Sequence, residues 1–176
     1  KEEKKIKNLI KSLTKKEKKK ILLLFIIFIF VGIFFIAFEQ SAGLLILYAK
    51  NNTNRNFLNI NIPASWFQGF NPFFVIILAP IISIFWMKMS KRKKNISAIQ
   101  KIAIGNIIMG LSFLFMIIAS LQRKYEFPEE SPMYWLIITY LFQTIGELCL
   151  SPVSMAFVTK LSPKRITSII MGFYYS

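Results

Sequence analysis

Glu39 and Glu147 are the residues of this chain best suited to chemistry. They are the only charged side chains inside its long apolar segments, and the sequence contains no histidine and no aspartate. A carboxylate held at membrane depth is costly, and by default it marks an ion or substrate pathway. A low-dielectric setting favours its neutral form, while a nearby cation favours the charged form. A glutamate that exchanges a cation for a proton is therefore a switch. No Lys or Arg lies within the apolar segments, so either acid must look to a proton, a substrate ammonium or a cation from another part of the protein. The competing reading makes each a permanently protonated, hydrogen-bonded residue.

Three of the further polar residues in the same segments bear weighing. Asn71 directly precedes Pro72, beside a turn weakened by the missing proline N–H. It is placed either to contact a solute or to satisfy carbonyls that the proline frees. Gln40 and Ser151 read as structural. Cys149 is the one cysteine, so it has no partner in this chain for a disulfide and reads as a packed core residue. No nucleophile stands beside a base and no metal-ligating cluster is visible, which argues against an enzyme.

The elements that must position these residues are membrane helices. Hydrophobic residues make up 55% of the chain and mean hydropathy is +0.51, above the usual range for a soluble domain. The apolar residues fall into runs that predict spans over about 21–49, 63–87, 102–121 and 133–159, with a further helix starting at 166. About 20 apolar residues suffice to cross a hydrocarbon core of about 30 Å. The fold class expected is therefore an all-α polytopic membrane protein. Pro72, Pro80 and Pro152 stand in the predicted spans as candidate helix kinks, and Gly105, Gly110 and Ser112 permit close helix approach.

The formal net charge of +15 could suggest nucleic acid, but its placement argues for topology instead. Lys and Arg concentrate in 1–20, 88–101 and 160–165, whereas the intervening loops are sparse in them or offset by Glu126, Glu129 and Glu130. Alternate basic loops follow the positive-inside rule, which puts residues 1–20 in the cytoplasm. Ile6, Leu9, Ile10 and Leu13 at helical spacing among lysines predict an interfacial helix or a basic linker there. Short loops lean towards a bacterial inner membrane. The chain reads as an internal piece of a longer carrier.

Several motifs carry a family likeness. They are Phe38-Glu39-Gln40, Ile62-Pro63-Ala64-Ser65-Trp66-Phe67-Gln68 leading to Asn71-Pro72, Gly146-Glu147-Leu148-Cys149-Leu150-Ser151-Pro152-Val153, and Val158-Thr159-Lys160-Leu161-Ser162-Pro163. The lead-in Leu13-Thr14-Lys15-Lys16-Glu17-Lys18 adds to them. In this order and spacing the chain resembles the C-terminal half of the proton-dependent oligopeptide transporter family, within the major facilitator superfamily.

The resemblance implies helices seven to ten and the start of eleven, packed against an N-terminal six-helix half to enclose a central cavity. It implies proton-coupled symport of di- and tripeptides by alternating access, with protons as the coupling ion and no other cofactor. It assigns proton coupling to Glu39, contact with the peptide's amino end to Asn71, and to Glu147 either that amino end or a lysine of the N-terminal half. Where the family often carries Trp shortly after the glycine matched by Gly172, this chain has Tyr174, which would give the pocket an aromatic wall of another shape. A carrier of another small solute and a non-transporting membrane subunit are the alternatives on the same scaffold.

Overall fold

The computed structural model of the chain describes residues 14–57, 59–92, 96–125, 130–163 and 167–174. Most of the segment expected as an interfacial helix or linker, together with Glu126 and Glu129, lies outside the described residues. The last part of that segment, from Lys15 onward, already belongs to the first membrane helix.

Among the described residues six α-helices carry the fold: α1 (Lys15–Glu39), α2 (Leu44–Asn52), α3 (Phe70–Lys91), α4 (Ala98–Tyr125), α5 (Tyr134–Leu161) and α6 (Thr167–Tyr174). A short 3-10 helix, Ala64–Gly69, leads into α3. Four helical spans among the described residues are long and apolar enough to cross a membrane: α1 with α2, the 3-10 helix with α3, then α4 and α5. The 28 residues of α4 and of α5 rise about 42 Å, beyond the hydrocarbon thickness. α4 therefore exceeds its predicted span at both ends and α5 at its last turn, where Arg123, Lys124 and Lys160 continue the helices into the interfaces.

The two long helices that start on the basic side, α1 and α4, begin with the same device. The Thr14 hydroxyl accepts from the Glu17 N–H at 3.3 Å, and the Thr14 N–H donates to the Glu17 carboxylate at 2.7 Å. Ser97 and Gln100 repeat the exchange at 3.3 and 2.9 Å at the start of α4. Each pair satisfies two orphan N–H groups reciprocally.

On the opposite side the loops form minimal strands. Thr53–Asn54 pairs in parallel with Ser131–Pro132, and Asn56–Phe57 pairs antiparallel with Ile60–Asn61. Asn59, at φ 64°, takes the left-handed conformation that Asn tolerates better than most residues. Arg123, late in α4, donates to the Asn52 side chain at the end of α2, and the Ser131 hydroxyl donates to the Asn52 carbonyl at 3.1 Å.

The centre of the bundle is α5, which packs against α1, α3, α4 and α6. Two apolar clusters flank its middle. Ile27, Val31, Phe34, Ile102, Met109 and Leu150 form the one nearer the basic side, and Leu45, Ala49, Phe67, Leu136 and Tyr140 form the other. Between α4 and α5 the backbones touch. A Cβ placed on Gly105 would lie 2.9 Å from the Gly146 carbonyl oxygen, and one on Gly146 would lie 3.0 Å from the Gly105 carbonyl oxygen. Gly105, Met109 and Ser112 share one helix face, all buried. Gly110, expected to pack with them, has nothing within 4 Å of where its Cβ would stand, because a five-residue step turns it away from that face.

Candidate substrate and proton site

Glu147 stands at the middle of the 28-residue α5, half-buried. Its neighbour Gly146 is the glycine that closes on α4, so the helix carrying the acid is held at this level by backbone contact. Thr144 lies three residues earlier and so shares its face. The Thr144 hydroxyl donates to the Tyr140 carbonyl at 2.8 Å, which leaves its oxygen free to accept.

Asn71 reaches both residues from α3. Its Nδ2 donates to Glu147 Oε2 at 3.0 Å and to Thr144 Oγ1 at 3.3 Å. Asn71 is the second residue of α3, brought there by the turn of the preceding 3-10 helix. Pro72 thus falls in the first turn of α3, where its missing N–H is an orphan position in any helix. The sequence-based expectation of an interior kink applies instead to the positions of Pro80 and Pro152, which lie inside α3 and α5. An amide donor stabilises a carboxylate without neutralising it. The pair can therefore still receive a cation.

Glu39 is the last residue of α1, and its side chain is exposed. Among the described residues its carboxylate has no hydrogen-bond or ion-pair partner. The run 21–49, read from the sequence as one span, breaks just beyond it. Gln40, Ser41, Ala42 and Gly43 each donate three residues back, to Ala37, Phe38, Glu39 and Gln40, before α2 resumes at Leu44. Such tight i→i+3 bonding marks a change of helical path. The break frees carbonyls, and one of them is met from α5: the Tyr140 hydroxyl donates to the Ser41 oxygen at 2.9 Å. Tyr140 is 1% exposed, so this bond is shielded from solvent. The Gln40 side chain donates to Ile36 oxygen at 3.3 Å, in keeping with its structural reading.

The structure joins Asn71 to Glu147 and leaves Glu39 on a separate turn. Tyr174 lies at the far end of α6, where its hydroxyl meets Ser154 Oγ at 2.7 Å and its ring meets Phe28 at 6.0 Å between centroids. Sequence reasoning missed Tyr140, Thr144 and Gln143. Gln143 is fully buried, and among the described residues both of its amide atoms lack a partner. The spacing Tyr140, Thr144, Glu147 on one helix could have been read as a polar face. The residues 40–43, with Gly43 after two polar side chains, could have been read as a break. A separate cleft lined by Lys20, Ala98, Pro152, Phe157 and Lys160 lies at the basic ends of α1, α4 and α5, away from Asn71 and the two acids.

The chain is similar to known transporters. The chain is 36% identical over 165 residues to an uncharacterized transporter of Bacillus subtilis, YclF, covering 94% of this chain and 32% of the relative. It is 33% identical over 163 residues to the peptide transporter YePEPT of Yersinia enterocolitica, covering 93% of this chain and 32% of the relative. The chain thus spans about a third of the length of these relatives. A crystal structure of a POT peptide transporter in complex with sulfate superposes with a TM-score of 0.84 at 30% identity, over 92% of this chain and 32% of that one. The described helices therefore have a major facilitator fold. The model of the PTR2, or POT, family matches residues 1–176, and a chain that matches it from end to end, with this fold, belongs to the POT family.

Proposed function

We propose that the complete protein couples the uptake of di- and tripeptides to proton entry by alternating access. The observation that carries this reading is the Asn71–Glu147 pair: a half-buried carboxylate at mid-span, oriented by a neutral donor, suits the ammonium of a peptide's amino end. The likeness to a peptide transporter supports the same choice of substrate. Glu39 takes the proton-coupling role, because it is unpaired among the described residues and adjoins a helix break that can change path. Its cationic partner comes from the N-terminal six-helix half, and Tyr174 contributes an aromatic wall. Alternate basic loops support a cytoplasmic location for residues 1–20, and the setting is a bacterial inner membrane with lipid on the outer helix faces.

The test uses the full-length transporter in proteoliposomes with labelled dialanine. Wild type should both exchange dialanine and accumulate it when a pH gradient is imposed. Glu39→Gln should keep exchange and lose accumulation. A folded wild type that does neither refutes the peptide assignment.

A further inference from the structure

A chain of hydrogen bonds, joined through the covalent frame of Tyr140, links the turn after Glu39 to the carboxylate of Glu147. The Ser41 carbonyl accepts from the Tyr140 hydroxyl at 2.9 Å, and the Tyr140 carbonyl accepts from the Thr144 hydroxyl at 2.8 Å. Thr144 Oγ1 accepts from Asn71 Nδ2 at 3.3 Å, and the same nitrogen donates to Glu147 Oε2 at 3.0 Å. Tyr140 and Thr144 are almost wholly shielded, which protects the middle of the chain from water, while Ser41, Asn71 and Glu147 at its ends are half-buried.

We propose that Tyr140 and Thr144 are positioning residues that couple the Glu39 turn to the Glu147 site. This rests on the proton-coupled carrier reading above. The physical basis is that each donor in the chain is committed. The Thr144 hydroxyl has one hydrogen, and spending it on the Tyr140 carbonyl aims its oxygen at Asn71. The N–H groups of the turn at 40–43 are all bonded locally, but among the described residues the Ser41 carbonyl takes its donor from Tyr140, and in an apolar interior it has strong reason to keep it. A shift of that turn when Glu39 changes partner must therefore either drag Tyr140 or strand a carbonyl. Dragging Tyr140 moves the carbonyl that orients Thr144, and with it the second anchor of Asn71. The two sites then bias one element, which is the requirement for coupling. Reciprocity follows: holding a ligand at Glu147 must favour one arrangement of the Glu39 turn.

Two measurements on the full-length protein test this. In the dialanine assay, Tyr140→Phe keeps the buried ring and removes the hydroxyl. It should leave exchange within about twofold of wild type and lower pH-driven accumulation at least about fivefold. Thr144→Val should lower pH-driven accumulation by at least as much, and Thr144→Ser, which restores the hydroxyl, should behave as wild type. Wild-type accumulation by Tyr140→Phe and Thr144→Val overturns the proposal. So does failure of Thr144→Ser alongside Thr144→Val, since shape rather than the hydroxyl would then matter.

The second measurement needs no peptide. Thermal unfolding is compared for Tyr140→Phe, Asn71→Ala and the double variant, whose mutated residues are linked by hydrogen bonds through Thr144. Non-additive shifts in Tm are expected, and additive shifts overturn the chain. If wild type fails to exchange dialanine, the carrier reading falls on that result, while the unfolding cycle still decides the network. If Tyr140→Phe does not fold, the Thr144 pair decides the question in its place.

Discussion

Asn71 and Glu147 stand 76 residues apart in the chain, yet the amide of one donates to the carboxylate of the other at 3.0 Å across the α3–α5 interface. The bond fixes the rotation of the acid about its own side chain. It also ties the start of α3 to the middle of the helix at the centre of the bundle.

Asn71→Ala should therefore disturb binding more than turnover. A hydrogen bond to a charged group contributes about 1.5–3 kcal/mol, which corresponds to a rise in KM for dialanine exchange of about 10- to 100-fold. The maximal exchange rate should change far less. An unchanged KM would mean that Asn71 serves only the helix entrance.

The Gly105–Gly146 crossing predicts a sharp contrast between two glycines of one helix. Gly105→Ala would put a methyl 2.8 Å from Leu150 Cβ and 2.9 Å from a backbone oxygen, neither of which can swing aside. Overpacking of this kind costs about 1–3 kcal/mol, visible as a lower Tm of the purified protein. Gly110→Ala, whose added Cβ meets nothing within 4 Å in this chain, should leave Tm unchanged or raise it slightly.

Gln143 offers a prediction of opposite sign. Its side chain is already covered by this part of the protein, so other segments have no surface through which to reach the amide. Replacing an unpaired buried amide with an apolar chain of similar length removes a desolvation penalty of about 1–3 kcal/mol. Gln143→Met should thus raise Tm while transport continues. A fall in Tm would show that the amide has a partner in the complete transporter.

The capping exchange at the start of α1 can be checked on its own. Thr14→Ala should destabilise by about 1 kcal/mol, and Thr14→Ser should restore most of the loss, since the hydroxyl is what accepts the Glu17 N–H. Equal Tm for all three proteins would mean that the helix start is held by the membrane surface instead.

Much of this could be read along the chain because the governing physics is local. Removing a run of side chains from water depends on their own composition, so the spans announce themselves, and the cost of an acid in such a run singles out Glu39 and Glu147. The placement of Lys and Arg likewise supports the direction of each span. Even the caps at Thr14 and Ser97 are legible, since each needs only a partner three residues on. Tertiary structure decided which faces meet. Hydropathy does not specify how a helix is rotated about its axis when the whole circumference is apolar. Here that rotation follows from where Gly105 and Gly146 allow two backbones to touch, and it is what turns Thr144 and Glu147 towards Asn71. The break after Glu39 is of the same kind. A carbonyl freed inside a bilayer is tolerable only with a donor at hand, and that donor, Tyr140, is supplied from 99 residues away.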